Sequence, residues 1–96
     1  MSINLFSNPT TVMKNAKEYL GPDVVLRQSD NPKKKYMVLN PHTKKWIYFG
    51  AMGYEDYTKH KDDERRNNYL KRSANIRGNW RDDKYSPNNL SRNILW

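Results

Sequence analysis

Residues whose types could do chemistry fall into four groups. His60-Lys61-Asp62-Asp63-Glu64, with His42 far upstream, brings imidazole and carboxylate together, the pairing used to hold a metal or move protons. Two histidines without a single cysteine make a poor structural zinc set, and a histidine beside a helix start more often caps or packs. No catalytic residue, metal ligand or cofactor is therefore assigned, and the chain is not expected to be an enzyme. The second group is Lys33, Lys34 and Lys35, which lead into an aromatic-rich strand, with Lys44 and Lys45 after the next turn. Cations on a rigid hairpin can contact phosphates, and lysine acts there as a point charge without reading sequence. The same lysines could instead guard a sheet edge or mark an ordinary polar turn.

The third group is Arg65, Arg66, Lys71, Arg72 and Arg77. Arg65 and Arg72 are seven apart and share one face of a helix, which could lie along a phosphate backbone. Pairing of Asp62 with Arg65 or Arg66 would compete for that charge. The fourth is the set Tyr36, Trp46 and Tyr48, either a stacking platform or core. Only 35% of the chain is hydrophobic, so the aromatics are needed inside and core is the preferred reading.

These groups sit on a charge that is unevenly spread. The net charge is +8. Residues 1–32 are neutral, with three Lys and Arg against three Asp and Glu. Residues 33–61 have seven against two, a net +5, and residues 62–96 have eight against five, a net +3. A field of this sign favours nucleic acid, an acidic membrane surface or an acidic protein. Charged residues make up 29%, close to the balance of disordered chains, but seven tyrosines, three tryptophans and two phenylalanines argue for a folded centre.

The elements that must position these residues follow from local signals. Thr10 or Thr11 can cap a helix running through Val12, Ala16, Tyr19 and Leu20, which Gly21-Pro22 stops. Residues 23–28, 35–40 and 45–49 read as three strands joined by short turns, an antiparallel meander. Gly50 and Gly53 break the chain, and a loop or single helical turn around Tyr54, Asp56 and Tyr57 follows. A second helix starts near Asp62 with Tyr69, Leu70 and Ala74 facing inward, joined by Ile76, and Gly78 ends it. Ser86-Pro87 starts a short last helix that docks Leu90, Ile94 and Leu95. The fold class is α+β: a small three-stranded antiparallel sheet, one N-terminal helix, and one or two C-terminal helices. With 96 residues the chain is one domain, 1–96, with a mobile lead-in over residues 1–9. No apolar stretch is long enough for a membrane span. The opening Met1-Ser2-Ile3-Asn4-Leu5-Phe6 lacks the pattern of a secretory signal, so an intracellular setting is expected.

Two resemblances add to this. Lys35-Tyr36-Met37 and Tyr48-Phe49-Gly50, with Arg65, resemble in part the GIY-YIG endonucleases, which would imply a tyrosine–arginine–glutamate metal site. Gly-Ile is missing before Tyr36, and no glutamate follows Glu64. A small metal-dependent nuclease is thus a third reading. The run Tyr48-Phe49-Gly50-Ala51-Met52-Gly53-Tyr54-Glu55-Asp56-Tyr57-Thr58-Lys59-His60-Lys61-Asp62, with Arg65-Arg66, residues 69–72, Asn79-Trp80, Leu90-Ser91-Arg92 and Leu95-Trp96, is more specific. It resembles a family of small basic proteins, mostly of unassigned function, encoded by large double-stranded DNA viruses and some phages. The match spans residues 35–96. This chain departs from it at Ser73, where a histidine is expected, which weakens any site built on paired histidines.

The resemblance implies a virus-encoded accessory or virion-associated protein, in the virion or in the cytoplasm or nucleus of a host. The expected function is sequence-independent binding of nucleic acid, DNA rather than RNA. Lys33, Lys34, Lys35, Lys44, Lys45, Arg65, Arg66, Lys71, Arg72 and Arg77 would supply the cations. The alternative is a structural cement protein whose partners are other virion proteins.

Overall fold

The computed structural model describes residues 3–96. Helix α1 (Pro9–Leu20) starts at Asn8, one turn signal earlier than the threonines. The Asn8 carboxamide oxygen accepts from Thr10 N and Thr11 N, and Pro9 occupies the first helical position, where a missing N–H costs nothing. Gly21 ends the helix at φ 108°, a conformation glycine tolerates.

Three strands follow: β1 (Leu26–Gln28), β2 (Lys34–Asn40) and β3 (Lys45–Ala51), antiparallel in the order β1-β2-β3. The expected meander is present. Pairing starts at Leu26↔Val38, so Val24 and Val25 lie outside β1. Val24 N is instead tied to Gly21 O in the turn after α1. Alternation then sorts the side chains. Tyr36 and Val38 are buried, and Tyr36 is paired with the buried Phe49. Met37, Leu39, Trp46 and Tyr48 are half-buried on the opposite face. Tyr36, Trp46 and Tyr48 therefore form no common platform. Arg27 lies 5.5 Å over the Trp46 ring, and Tyr48 donates to Asp30, so that second face is roofed by its own polar side chains.

After β3 come α2 (Tyr57–His60) and α3 (Asp63–Ala74). The last helical stretch is α4 (Pro87–Leu90), which runs on as a π-helical segment (Ser91–Leu95). Ser86 caps α4 by accepting from Asn89 N and donating to Trp80 O. This C-terminal stretch packs between α1 and the sheet. Leu90, Ile94 and Leu95 join Ile3, Val12, Ala16, Tyr36, Val38 and Phe49 in one buried cluster. The closest approach is at Gly50, where an added Cβ would lie 2.8 Å from Leu95 Cδ1.

From Ile3 onward the expected lead-in is tied to the body. Ile3–Leu5 forms a 3-10 turn, Ile3 and Ser7 are buried, and Phe6 O accepts from Asp56 N at 3.0 Å. The first two residues of the expected lead-in lie outside the described residues. Helix α3 ends at Ala74, four residues before Gly78, and Ile76 is 51% exposed instead of facing inward. No helix among the described residues is long and apolar enough to cross a membrane.

Candidate functional site

The three-lysine run is split by burial. Lys33 and Lys34 are exposed, whereas Lys35 is 2% exposed and its Nζ donates to Asp56 Oδ2 at 3.2 Å. Asp56 is fully buried and also accepts from the Thr58 hydroxyl. Each hydroxyl has one proton to give. Since Thr58 gives its proton to Asp56, Ser7 donates to Thr58 (3.2 Å) and Tyr36 donates to Ser7 (2.8 Å). A one-directional chain thus ends on the carboxylate. Burial pushes the Tyr36 phenol up to about 12, so it keeps its proton. Burial also lowers the pKa of Lys35, and the charge and hydrogen bond of Asp56 only partly restore it. Lys35 and Tyr36 reach the same network although strand neighbours normally alternate. The ladder is interrupted there: the pairing passes from Lys34↔Ala51 to Tyr36↔Phe49, and the intervening Gly50 has φ 83°. Lys35 is therefore a structural cation, withdrawn from the expected binding set.

The remaining cations do not form one patch. Lys44 and Lys45 sit at the far end of the β2–β3 hairpin, separated from Lys34 by the length of β2. Seven residues of strand span roughly 20 Å. Arg66 is half-buried: its Nε donates to Trp96 O at 2.6 Å and its guanidinium lies over Tyr57. Lys71 and Arg77 are exposed, and neither lines the cleft that gathers Lys34, Arg65 and Arg72. What the fold does bring together is Lys34, at the start of β2, with Arg65 and Arg72 of α3.

These three border a cleft of about 740 Å³ between the end of β3, α3 and the C-terminal stretch. Its other walls include Tyr54, Tyr69, Ile76 and Trp96, with Lys35 at the base. Helix α3 positions the arginines. Asp62 caps it, accepting from Glu64 N and Arg65 N, and Asp63 and Glu64 in the first turn complement the helix dipole. Spending the Asp62 carboxylate on the cap also settles the competition for charge. Lys35–Asp56 is the one ion pair within 4.0 Å among the described residues, so Arg65 and Arg72 keep their charge unpaired. Glu55 is the single acidic side chain on the cleft wall, against Lys34, Arg65, Arg72 and the ion-paired Lys35.

Tyr54, Tyr69 and Trp96 are site residues that sequence reasoning did not select. Tyr54 follows Gly53 on the turn after β3 and is 73% exposed. Tyr69 stacks on Trp96 with centroids 4.3 Å apart and planes at 11°, an approach between residues far apart in the chain. Trp96 in turn touches the His60 ring at 5.2 Å. His60 Nδ1 accepts from Asp62 N, and the ring packs edge-on to Tyr57. Burial, followed by the charge of Arg65, lowers its pKa, so the neutral imidazole is favoured. Among the described residues no three His, Cys, Asp or Glu gather as metal ligands.

A family model, described as a family of unknown function (DUF5754), matches residues 24–73. The matched segment holds the whole sheet, α2 and all of α3 but its last residue. Lys34, Tyr54, Arg65, Tyr69 and Arg72 all lie within it. No curated protein and no solved structure matches the chain.

Proposed function

The chain belongs to the DUF5754 family, a family of unknown function, and we propose from the cleft that it is a non-catalytic nucleic-acid-binding protein. Lys34, Arg65 and Arg72 hold phosphates at the cleft rim, without reading sequence. The observation that carries this is the convergence of three cations, none of them ion-paired, on one aromatic-lined concavity. A basic face serving only to keep the chain dispersed needs no such convergence, and intrahelical pairing would have neutralised the arginines. Arginine also suits the task, since its planar fork matches phosphate oxygens in pairs. The proposed setting, an accessory or virion-associated role in a virus, rests on the resemblance over residues 35–96. Abundance in purified particles without nucleic-acid binding would favour the cement role instead.

Fluorescence anisotropy of a labelled oligonucleotide across a salt series tests the binding. The logarithm of the affinity falls linearly with log salt, with a slope of roughly 0.7 to 0.9 per phosphate neutralised. Arg65→Ala with Arg72→Ala is expected to weaken binding at low salt and to flatten the slope by about 1.4 to 1.8. Lys44→Ala with Lys45→Ala, at the far end of the hairpin, is expected to change it less. No binding at low salt overturns the proposal, and an equal effect of the two double variants removes the cleft as its site.

A further inference from the structure

Resting on the phosphate-binding reading of the same cleft, we infer that its ligand is single-stranded nucleic acid and that Tyr54 is the platform on which one base stacks. The rings of the cleft are not equivalent. Tyr69 has Trp96 on one face and the Arg72 guanidinium 5.8 Å from its centroid, and Trp96 is further engaged by His60. Tyr54 is different. It is 73% exposed, and among the described residues no ring or guanidinium stacks against it. It follows Gly53, at φ 99°, on the turn that leaves β3, and it lines the cleft.

The shape of the cleft selects the form of nucleic acid. A volume of about 740 Å³ is that of a small-ligand site, enough for a nucleotide or two. A duplex keeps its bases paired and stacked on each other, so it offers Tyr54 no free base face. A duplex would meet the rim cations and leave the aromatic wall unused. A single strand can place phosphates on the rim and turn an unstacked base inward, the combination that single-strand binders use. The charge pattern also orients it. Glu55, beside Tyr54, repels phosphate but can accept from the N–H of an unpaired base. Bases therefore lie toward Tyr54 and the backbone toward Arg65 and Arg72.

The test uses the full chain with labelled 15-mers: oligo-dT, a mixed-sequence single strand, and the matching duplex, all at one low salt concentration. Oligo-dT and the mixed strand are expected to bind at least tenfold more tightly than the duplex. Tyr54→Ala is expected to weaken single-strand binding by roughly 5- to 150-fold, the cost of one base–aromatic stack, and duplex binding less than twofold. Tyr54→Phe keeps the ring and should keep the affinity. Tyr54 is exposed, so the variants should melt with the wild type, and circular dichroism checks this. Equal affinity for duplex, or a Tyr54→Ala variant with unchanged single-strand affinity, overturns this inference and leaves charge-driven binding standing. Absence of binding to any of the three probes overturns the underlying reading as well.

Discussion

Lys35 shows how much a single residue's meaning depends on its partner. In the chain it is the third of three identical cations, and in the fold it is the inner half of a buried ion pair with Asp56. Burying two charges is costly, so such a pair adds little net stability, but removing one partner leaves the other unpaired in a dry site. Lys35→Met is therefore expected to lower unfolding free energy by about 3–5 kcal/mol, a large part of what a small domain has. The double variant Lys35→Met with Asp56→Leu should lose much less than the sum of the two single changes. Urea unfolding of the four proteins at 25 °C gives the coupling energy. Additive losses would mean that the two side chains do not meet.

At the scale of elements, α3 contributes no residue to the buried hydrophobic cluster. Its buried residue is Ser73, and Tyr69, Leu70 and Ala74 are only half-buried. A helix of twelve residues is marginal alone, so its ends and polar cross-links must hold it. Arg92 Nη1 donates to Leu70 O at 2.7 Å and to Ser73 Oγ at 2.5 Å, and Asn88 donates to Ser73 O. These bonds fasten α3 to the C-terminal stretch, and so set the width of the cleft. Serine at position 73, where the viral resemblance anticipates histidine, is small enough to be buried under Arg92. Asp62→Ala removes the N-terminal cap and should cost about 1 kcal/mol, or roughly 4–8 °C in melting temperature for a domain of this size. A thermal melt followed by circular dichroism measures it, and an unchanged midpoint would show that the cap does not support the helix.

The whole molecule is closed by its last residues. Leu90 and Ile94 are fully buried and Leu95 nearly so, wedged between α1 and the sheet. Asn15 of α1 donates to Ile94 O, and Tyr19 donates to Lys84 O, so the first helix is held through the tail. Ile94→Ala should destabilise the protein by about 2–5 kcal/mol, because it opens a cavity where three elements meet. Ile76→Ala, on an exposed side chain, should stay within about 0.5 kcal/mol. Denaturant midpoints of the two variants compare them directly, and similar values would contradict the central place of the tail in the core.

The sequence by itself determined the features that act between near neighbours. The three-strand meander, the helix starts near Asp62 and at Ser86-Pro87, the docking of Leu90, Ile94 and Leu95, and the location of the positive charge were all legible. Caps, turns and alternation work through residues one to four apart, so a linear reading captures them. Boundaries slipped where a local signal was weak, as at Val24 and Val25, or where Asn8 outcompeted Thr10 as a cap. The tertiary structure alone decided which cations stay free and which of them meet. Lys35 finds its carboxylate 21 residues away, Arg92 reaches α3 across 22, and Tyr69 meets Trp96 only because the tail folds back. Those pairings depend on how packed elements converge, and they turn a charge total of +8 into one cleft with unpaired cations at Lys34, Arg65 and Arg72 beside an open aromatic ring at Tyr54.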